Sequence, residues 1–244
     1  MARVFITGSA DGLGQMAATL LIEQDHEVVL HARNAERGRD ALKKTPRAVN
    51  VLTADLSSTE ETKTLAEKVN QLGAFDAVIH NAGVYQASAK EIFAVNTLAP
   101  YILTCLINKP KRLIYLSSGL HLQGRPNLEY FKQNTDHISY SDSKLHLMMI
   151  TMAIARRWPD VYCNAVNPGW VPTKMGGRNA PDNLQKGFET QAWLAVSNDE
   201  RAKVSGRYFF HQKESSYNPV ADDVTLQEKL LTQLEEITGV SFQG

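Results

Sequence analysis

Two groups of residues in this 244-residue chain are spaced for chemistry. The first is "RVFITGSADGLGQMAATLL", residues 3 to 21, which runs from an apolar stretch through Gly8, Gly12 and Gly14 into an apolar helical pattern. A strand, then glycines, then a helix is the context in which a dinucleotide pyrophosphate is cradled. Glycine lets the backbone come close, and the free N–H groups of the helix start face the anion. The spacing is G-x-x-x-G-x-G rather than G-x-G-x-x-G, so the loop taken alone leaves a plain strand-to-helix turn open. The end of the next strand discriminates between nucleotides. An NAD site usually carries a carboxylate there for the ribose hydroxyls; here Ala32 is followed by Arg33. The missing acid and a guanidinium able to pair bidentately with phosphate favour NADP(H) over NAD(H). Asp11 is discordant in a phosphate loop and reads as pointing to solvent or capping the following helix. The neighbouring His31 reads as assisting, as packing under the adenine edge, or as inert.

The second group is Tyr140 and Lys144, one helical turn apart at the start of "YSDSKLHLMMITMAIARRW". They share one face of that helix. A lone pair of this kind fits a solvated face just as well. Polar residues nevertheless gather at the carboxyl ends of strand-like runs or on the adjoining helix: "HNAG" (80–83), "VNTLAP" (95–100), "LSSG" (116–119) and "NPGWVPT" (167–173). Ligands bind at those ends in open α/β sheets.

Taken in order, TGSADGLG, Asp55-Leu56, Asn81-Ala82-Gly83, Asn96, the serine of LSSG, YSDSK and NPGWVPT make residues 3 to 210 resemble the short-chain dehydrogenase/reductase family. The form of YSDSKLHLMM and NPGWVPT is similar to its retinol-dehydrogenase and carbonyl-reductase-like branch. The resemblance implies hydride transfer between a nicotinamide and a carbonyl or alcohol, with Tyr140 as general acid or base. A free phenol titrates at about 10, and the resemblance implies that the Lys144 ammonium favours its ionised form and hydrogen-bonds the nicotinamide ribose. Ser118, chosen over Ser117 as the second serine of the pair, is implied to donate to the substrate oxygen. Asn96 is implied to hold a water in a relay toward Lys144. On the cofactor side, Gly8, Gly12, Leu13, Gly14 and Arg33 are joined by Asp55 at the adenine amine and Leu56 at its ring. Asn81, Ala82 and Gly83 are implied to pass the adenosine ribose, and Pro168, Gly169, Val171 and Thr173 to border the nicotinamide. A catalytically idle NADP(H)-binding regulator on the same fold is the alternative, and the retained Asn96, Ser118, Tyr140 and Lys144 argue against it.

The chain departs from the family pattern in places. His80 replaces an Asn before N-A-G, with the expected loss of one strand-stabilising side chain. Little helix follows Leu103, which puts a family-like tetramer in doubt and leaves a homo-oligomer open. The long stretch at about 119–139 should form a loop or short helix on the rim of the site, and about 174–192 falls where the family carries a substrate lid.

These residues need a frame. Strand-like runs at 3–8, 27–33, 48–56, 75–83, 111–119, 160–169 and 206–210 alternate with helical stretches at about 13–25, 35–44, 59–72 and 140–158. Ser58 is a plausible cap for the third of these helices. The runs are nearly continuous in apolar character, as strands covered on both faces are. The expected fold is a single-domain, doubly wound α/β unit over 1–244, with a parallel sheet of about seven strands flanked by helices. Lys plus Arg and Asp plus Glu both number 26, so no net charge draws the chain to nucleic acid or anionic lipid. Cys105 and Cys163 show no metal-ligand spacing and read as buried free thiols of a reducing compartment. With no apolar run of membrane-span length and no signal-peptide pattern, the expectation is a cytoplasmic protein. Its partner is expected to be a small hydrophobic carbonyl or alcohol.

Overall fold

In the computed structural model, which describes residues 1–131 and 135–242, the apolar runs pair into one sheet. Strands β1 (Arg3–Ile6), β2 (Glu27–Ala32), β3 (Asn50–Thr53), β4 (Ala77–His80), β5 (Arg112–Leu116), β6 (Tyr162–Asn167) and β7 (Arg207–Phe210) run parallel, and β8 (Lys213–Glu214) returns antiparallel at the edge. The spatial order is β3-β2-β1-β4-β5-β6-β7-β8. Seven parallel strands agree with the periodicity; β8 leaves no hydrophobic signal because it is two exposed, charged residues long. A tight turn through His211 and Gln212, both at positive φ (50° and 59°), brings it back.

Alternation within the strands explains why helices cover both faces. Val4 and Ile6 point into a core shared with Leu21, Ala41 and Ala192, on α1 (Gly12–Glu23), α2 (Ala35–Lys44) and α7 (Leu184–Val196). Phe5, between them, points into a second core with Leu65, Tyr101, Leu147 and Leu230. Those side chains come from α3 (Thr59–Gln71), from α5 (Ala99–Leu106), from α6 (Tyr140–Arg157) and from α8 (Val224–Thr238). Ser58 caps α3 as its type suggests, accepting from Glu61 N–H. Ahead of α5, α4 (Ala89–Phe93) passes through a π-helical turn at Ala94–Leu98 that buries Asn96 completely. Because the order reverses between β1 and β4, the carboxyl ends of these two neighbours open a crevice.

Two expectations need correction, those for His80 and for the region at about 174–192. His80 is no loss to its strand: its ring stacks on Tyr115 with centroids 4.7 Å apart, and Nε2 meets Thr104 Oγ1 at 3.2 Å. The stretch at 119–139, expected as a loop or short helix, packs against the core. It forms 3-10 turns at Gly119–Gln123, Leu128–Tyr130 and Thr135–His137, with Leu128, Phe131 and Ile138 buried in the core; its residues 132–134 lie outside the described ones. The region at about 174–192 divides in two. Residues 174–183 are largely exposed, whereas α7 from Leu184 on buries Gly187, Thr190, Gln191 and Ala192 and is part of the framework. Of the two free cysteines, Cys163 is buried and Cys105 is half-buried.

Candidate active site

The crevice at the strand ends is a cavity of about 570 Å³. Its floor begins at the glycine loop. Gly12 sits at φ +57°, and no protein atom lies within 4 Å of where a Cβ there would point, so that space is left for a ligand. Gly14 is small for the opposite reason: a Cβ would stand 2.4 Å from Asn81 Nδ2. Helices α2, α3, α4, α6, α7 and α8 each have an N-cap side chain accepting a backbone N–H of the first turn. Helix α1 does not, since its N-cap, Asp11, makes no side-chain cap bond. Gly12 and Leu13 therefore bring an uncapped helix start to the crevice wall, as an anion requires. This cradle fits a dinucleotide pyrophosphate.

Neighbouring strands hold the loop in shape. Gly8 N–H donates to His31 Nδ1 at 3.0 Å, while His31 Nε2 meets the Ala54 carbonyl at 3.1 Å. With one nitrogen accepting and the other donating, the ring is a neutral tautomer, and burial pulls its pKa down to about 4. His31 is thus a tie between β2, the loop after β3 and the glycine loop. Asn81 Nδ2 donates to the carbonyls of Thr7 and Gly8, both at 3.0 Å, and Ala82 N–H donates to Thr7 Oγ1 at 3.0 Å.

At the end formed by β2 and β3, Ala32, Arg33, Asp55 and Leu56 line the cavity together. Arg33 Nε donates to Asp55 Oδ2 at 2.8 Å, and its Nη1 lies 3.8 Å from Glu91 Oε1. Asp55 also accepts from Ser57 N–H and Oγ. Asp11 neither caps α1 nor points into open solvent: Oδ2 accepts from Arg37 at 2.6 Å and from Lys174 at 3.2 Å. Burial alone would raise its pKa; the Lys174 hydrogen bond and the Arg37 charge outweigh that and leave it below the usual carboxylate range.

The other end of the cavity brings the chemical residues together. Lys144, only 3% exposed, donates from Nζ to the Leu116 carbonyl at 2.7 Å and lies 5.4 Å from the Tyr140 ring centroid. A Cβ on Gly83 would stand 3.3 Å from Lys144 Nζ and 3.4 Å from Asn96 Oδ1, so Gly83, Lys144 and Asn96 converge. Asn96 clamps the chain after Gly83 by accepting from Val84 N–H at 2.8 Å and donating to the Val84 carbonyl at 2.9 Å. The serine pair divides its roles. Ser117 touches the cavity, yet its hydroxyl donates to the Lys144 carbonyl at 3.0 Å. The Ser118 hydroxyl accepts from Leu120 N–H at 3.2 Å and lies near enough to Tyr140 to act on its phenol. Burial pushes Tyr140 up to about 12 against the Ser118 hydrogen bond, and burial pulls Lys144 down to about 7, which weakens the cation meant to act on it.

Pro168, Thr173 and Met175 border the same end. Gly169 takes φ +83° against Asp182, and Thr173 Oγ1 accepts from Gly176 N–H at 3.2 Å. The buried Val171 side chain packs toward α7 instead of the cavity.

Comparison with known proteins places this geometry. The short chain dehydrogenase family model matches residues 2–184. The chain belongs to the short-chain dehydrogenase family. Its relatives include an uncharacterised oxidoreductase of Emericella nidulans, 47% identical with 100% of both chains covered. Short-chain dehydrogenase chyC of Penicillium rubens is 41% identical over 99% of each. Retinol dehydrogenase 13 of Mus musculus is 26% identical over 98% of this chain and 84% of its own length, in line with the branch expected. A crystal structure of an uncharacterised protein from Mycobacterium paratuberculosis shares the fold at a TM-score of 0.82 and 22% identity, covering 100% of this chain and 96% of that one. A short chain dehydrogenase from Shigella flexneri complexed with NADP superposes at a TM-score of 0.68, with 22% identity and coverage of 87% and 97%.

Within this short-chain dehydrogenase, sequence reasoning missed two supports of the site. The fully buried His121 donates from Nδ1 to the Ser118 carbonyl at 2.6 Å and accepts from Asn218 N–H at 3.2 Å, fastening Ser118 to the C-terminal segment. Asp142, the third residue of YSDSK, completes a capping box with Ser139 and also accepts from Arg125 N–H at 2.7 Å and Asn127 Nδ2 at 3.1 Å. The S-x-x-D spacing before α6 was the available signal for the box.

Proposed function

We propose that this oxidoreductase uses NADP(H) and reduces a hydrophobic ketone or aldehyde, or oxidises the corresponding alcohol, with Tyr140 as the proton-transferring residue. The observation that carries this reading is the convergence of Tyr140, Ser118 and Lys144 at one end of a crevice whose other end is an uncapped helix start flanked by Arg33 and Arg37. When bound, the nicotinamide supplies or accepts the hydride. In the reducing direction Tyr140 gives its hydroxyl proton to the carbonyl oxygen as the C–H bond forms, so the oxygen leaves as a hydroxyl. A phenol held at about 12 is fully protonated at neutral pH, which suits a donor. Ser118 donates toward the same oxygen and Asn96 holds the loop that carries Gly83, which fixes the geometry without water having to reorganise.

The Asn81-Ala82-Gly83 and Pro168–Thr173 segments are suited to the cofactor's ribose and nicotinamide ends. Support for a hydrophobic substrate comes from apolar side chains left exposed at the crevice: Tyr85, edge-on to Tyr140 at 4.7 Å, and Met175 in its lining. The exposed 174–183 stretch is the part suited to act as a lid.

Two measurements test the reading. Titration with NADPH and NADH is expected to show tighter binding of NADPH, and equal affinities would overturn the role given to Arg33. Tyr140→Phe is expected to keep NADPH binding and lose at least about a hundredfold in turnover on any carbonyl that a panel identifies. Undiminished turnover would sink the mechanism.

A further inference from the structure

At the adenosine end of the crevice, three cations and three carboxylates alternate: Arg33, Arg37 and Lys174 with Asp11, Asp55 and Glu91, all lining the cavity. The pairs are not equivalent. Asp55 keeps two Ser57 donors whether or not Arg33 stays, and its partner is bound from a strand end. Asp11 is different. Its side-chain partners among the described residues are Arg37 and Lys174, drawn from two other parts of the chain. It stands in the glycine loop with extended backbone (φ −158°, ψ −177°), and its carboxylate, free of any capping duty, is directed to those cations. Arg33 precedes the N-cap of α2 and Arg37 lies in its first turn, and both side chains line the crevice. Lys174 opens the exposed stretch across the crevice, and Asp11 therefore links all three walls.

We propose that Asp11 is a specificity-determining residue: a built-in anion that holds Arg37 and Lys174 and competes with the adenosine 2′-phosphate for them. This rests on the reading of the crevice as an NADP(H) site. A 2′-phosphate placed between Arg33 and Arg37 meets a guanidinium already paired, and it comes close to a carboxylate of its own sign. Asp11 thereby lowers the advantage of NADPH over NADH below what the two arginines would confer. The carboxylate stays ionised through the neutral range, so the competition does not depend on pH there. Both ion pairs are partly exposed, which keeps their contribution modest and sensitive to salt.

The test is titration calorimetry of wild-type protein and Asp11→Asn with NADPH, NADH, adenosine 2′,5′-bisphosphate and AMP. Asn preserves the shape, and since Asp11 makes no cap bond its replacement leaves α1 intact, which a matching thermal midpoint verifies. The expected result is a three- to fivefold rise in the NADPH-to-NADH affinity ratio, about the strength of two exposed pairs. The bisphosphate-to-AMP ratio should rise in parallel, and the gain should shrink at high salt. In an Arg37→Gln background the same substitution should have little effect, because the contested cation is gone. An unchanged ratio overturns the proposal, as does a lowered one, which would make Asp11 a support for Arg37. Equal gains for NADPH and NADH also overturn it, by placing the repulsion at the pyrophosphate. Wild-type protein that binds neither dinucleotide would overturn the underlying reading instead, a separate and visible failure.

Discussion

Lys144 carries the clearest conflict between stability and chemistry. Its ammonium is buried against a single carbonyl, that of Leu116, and burial lowers its pKa from 10.5 to about 7. Between those values the unfolded chain keeps a proton that the folded chain has released. Unfolding then takes up protons, and stability rises with pH across that window; below about 7 the whole cost is present. Lys144→Met should therefore stabilise the fold at pH 7 by on the order of a few kcal/mol, with the gain fading toward pH 10, while catalysis is lost. Denaturant unfolding of both proteins at pH 7 and pH 10 checks this. A variant less stable than wild type at pH 7 would mean that burial of the amine is better compensated than its surroundings imply. A destabilising group kept at a reactive centre is the expected signature of function placed ahead of stability.

At the scale of elements, the start of α6 is where the proposed catalysis and the architecture meet. Tyr140 is the first residue of this helix, and two residues later Asp142 gathers donors from Ser139, Arg125 and Asn127. One buried carboxylate thus fixes both the helix terminus and the chain that follows the 3-10 turn after Ser118. Asp142→Ala removes the box and leaves buried donors without partners, which is expected to cost about 2–4 kcal/mol. The same change should open the 119–131 stretch to limited proteolysis, since Asp142 holds it at Arg125 and Asn127. A loss of under 1 kcal/mol with no new cleavage would show that the buried Leu128 and Phe131 hold the segment unaided.

Across the whole molecule, buried neutral histidines recur as ties between distant segments. His31 joins the glycine loop to Ala54, His80 joins β4 to α5 through Thr104, and His146 joins Thr97 Oγ1 to the Pro126 carbonyl at 3.2 Å and 2.7 Å. Burial lowers all three, to about 4, about 3 and about 4 respectively. As the pH falls below about 6.5, the unfolded chain binds protons at these rings while the folded chain does not, so stability is lost with acid. The three together should contribute a slope of about 3–4 kcal/mol per pH unit between pH 6 and 4.5. For a domain of ordinary stability that brings unfolding near pH 5. Urea midpoints at pH 7, 6 and 5 check it, and a flat profile would show that the rings are protonated in the fold.

Some of this was legible in the chain itself. The parallel sheet, the start and end of α2, the Ser58 cap, the glycine loop and the Tyr140–Lys144 pair depend on residues adjacent or one turn apart, and local spacing carries such information. Motif order identified the family because the motifs end strands at the crevice or open the helices beside it. What only the tertiary structure decided depends on long separations. The partners of Asp11 lie 26 and 163 positions away, and His121 reaches Asn218 across 97. Ser117 turns its hydroxyl to the Lys144 carbonyl of a later helix, a pairing across 27 positions that local spacing does not announce. Residue types and local periodicity determined the frame and its chemical groups. Their pairing and burial, and hence the lowered pKa of Lys144 and the engagement of Asp11, followed only when folding brought distant segments together and excluded water between them.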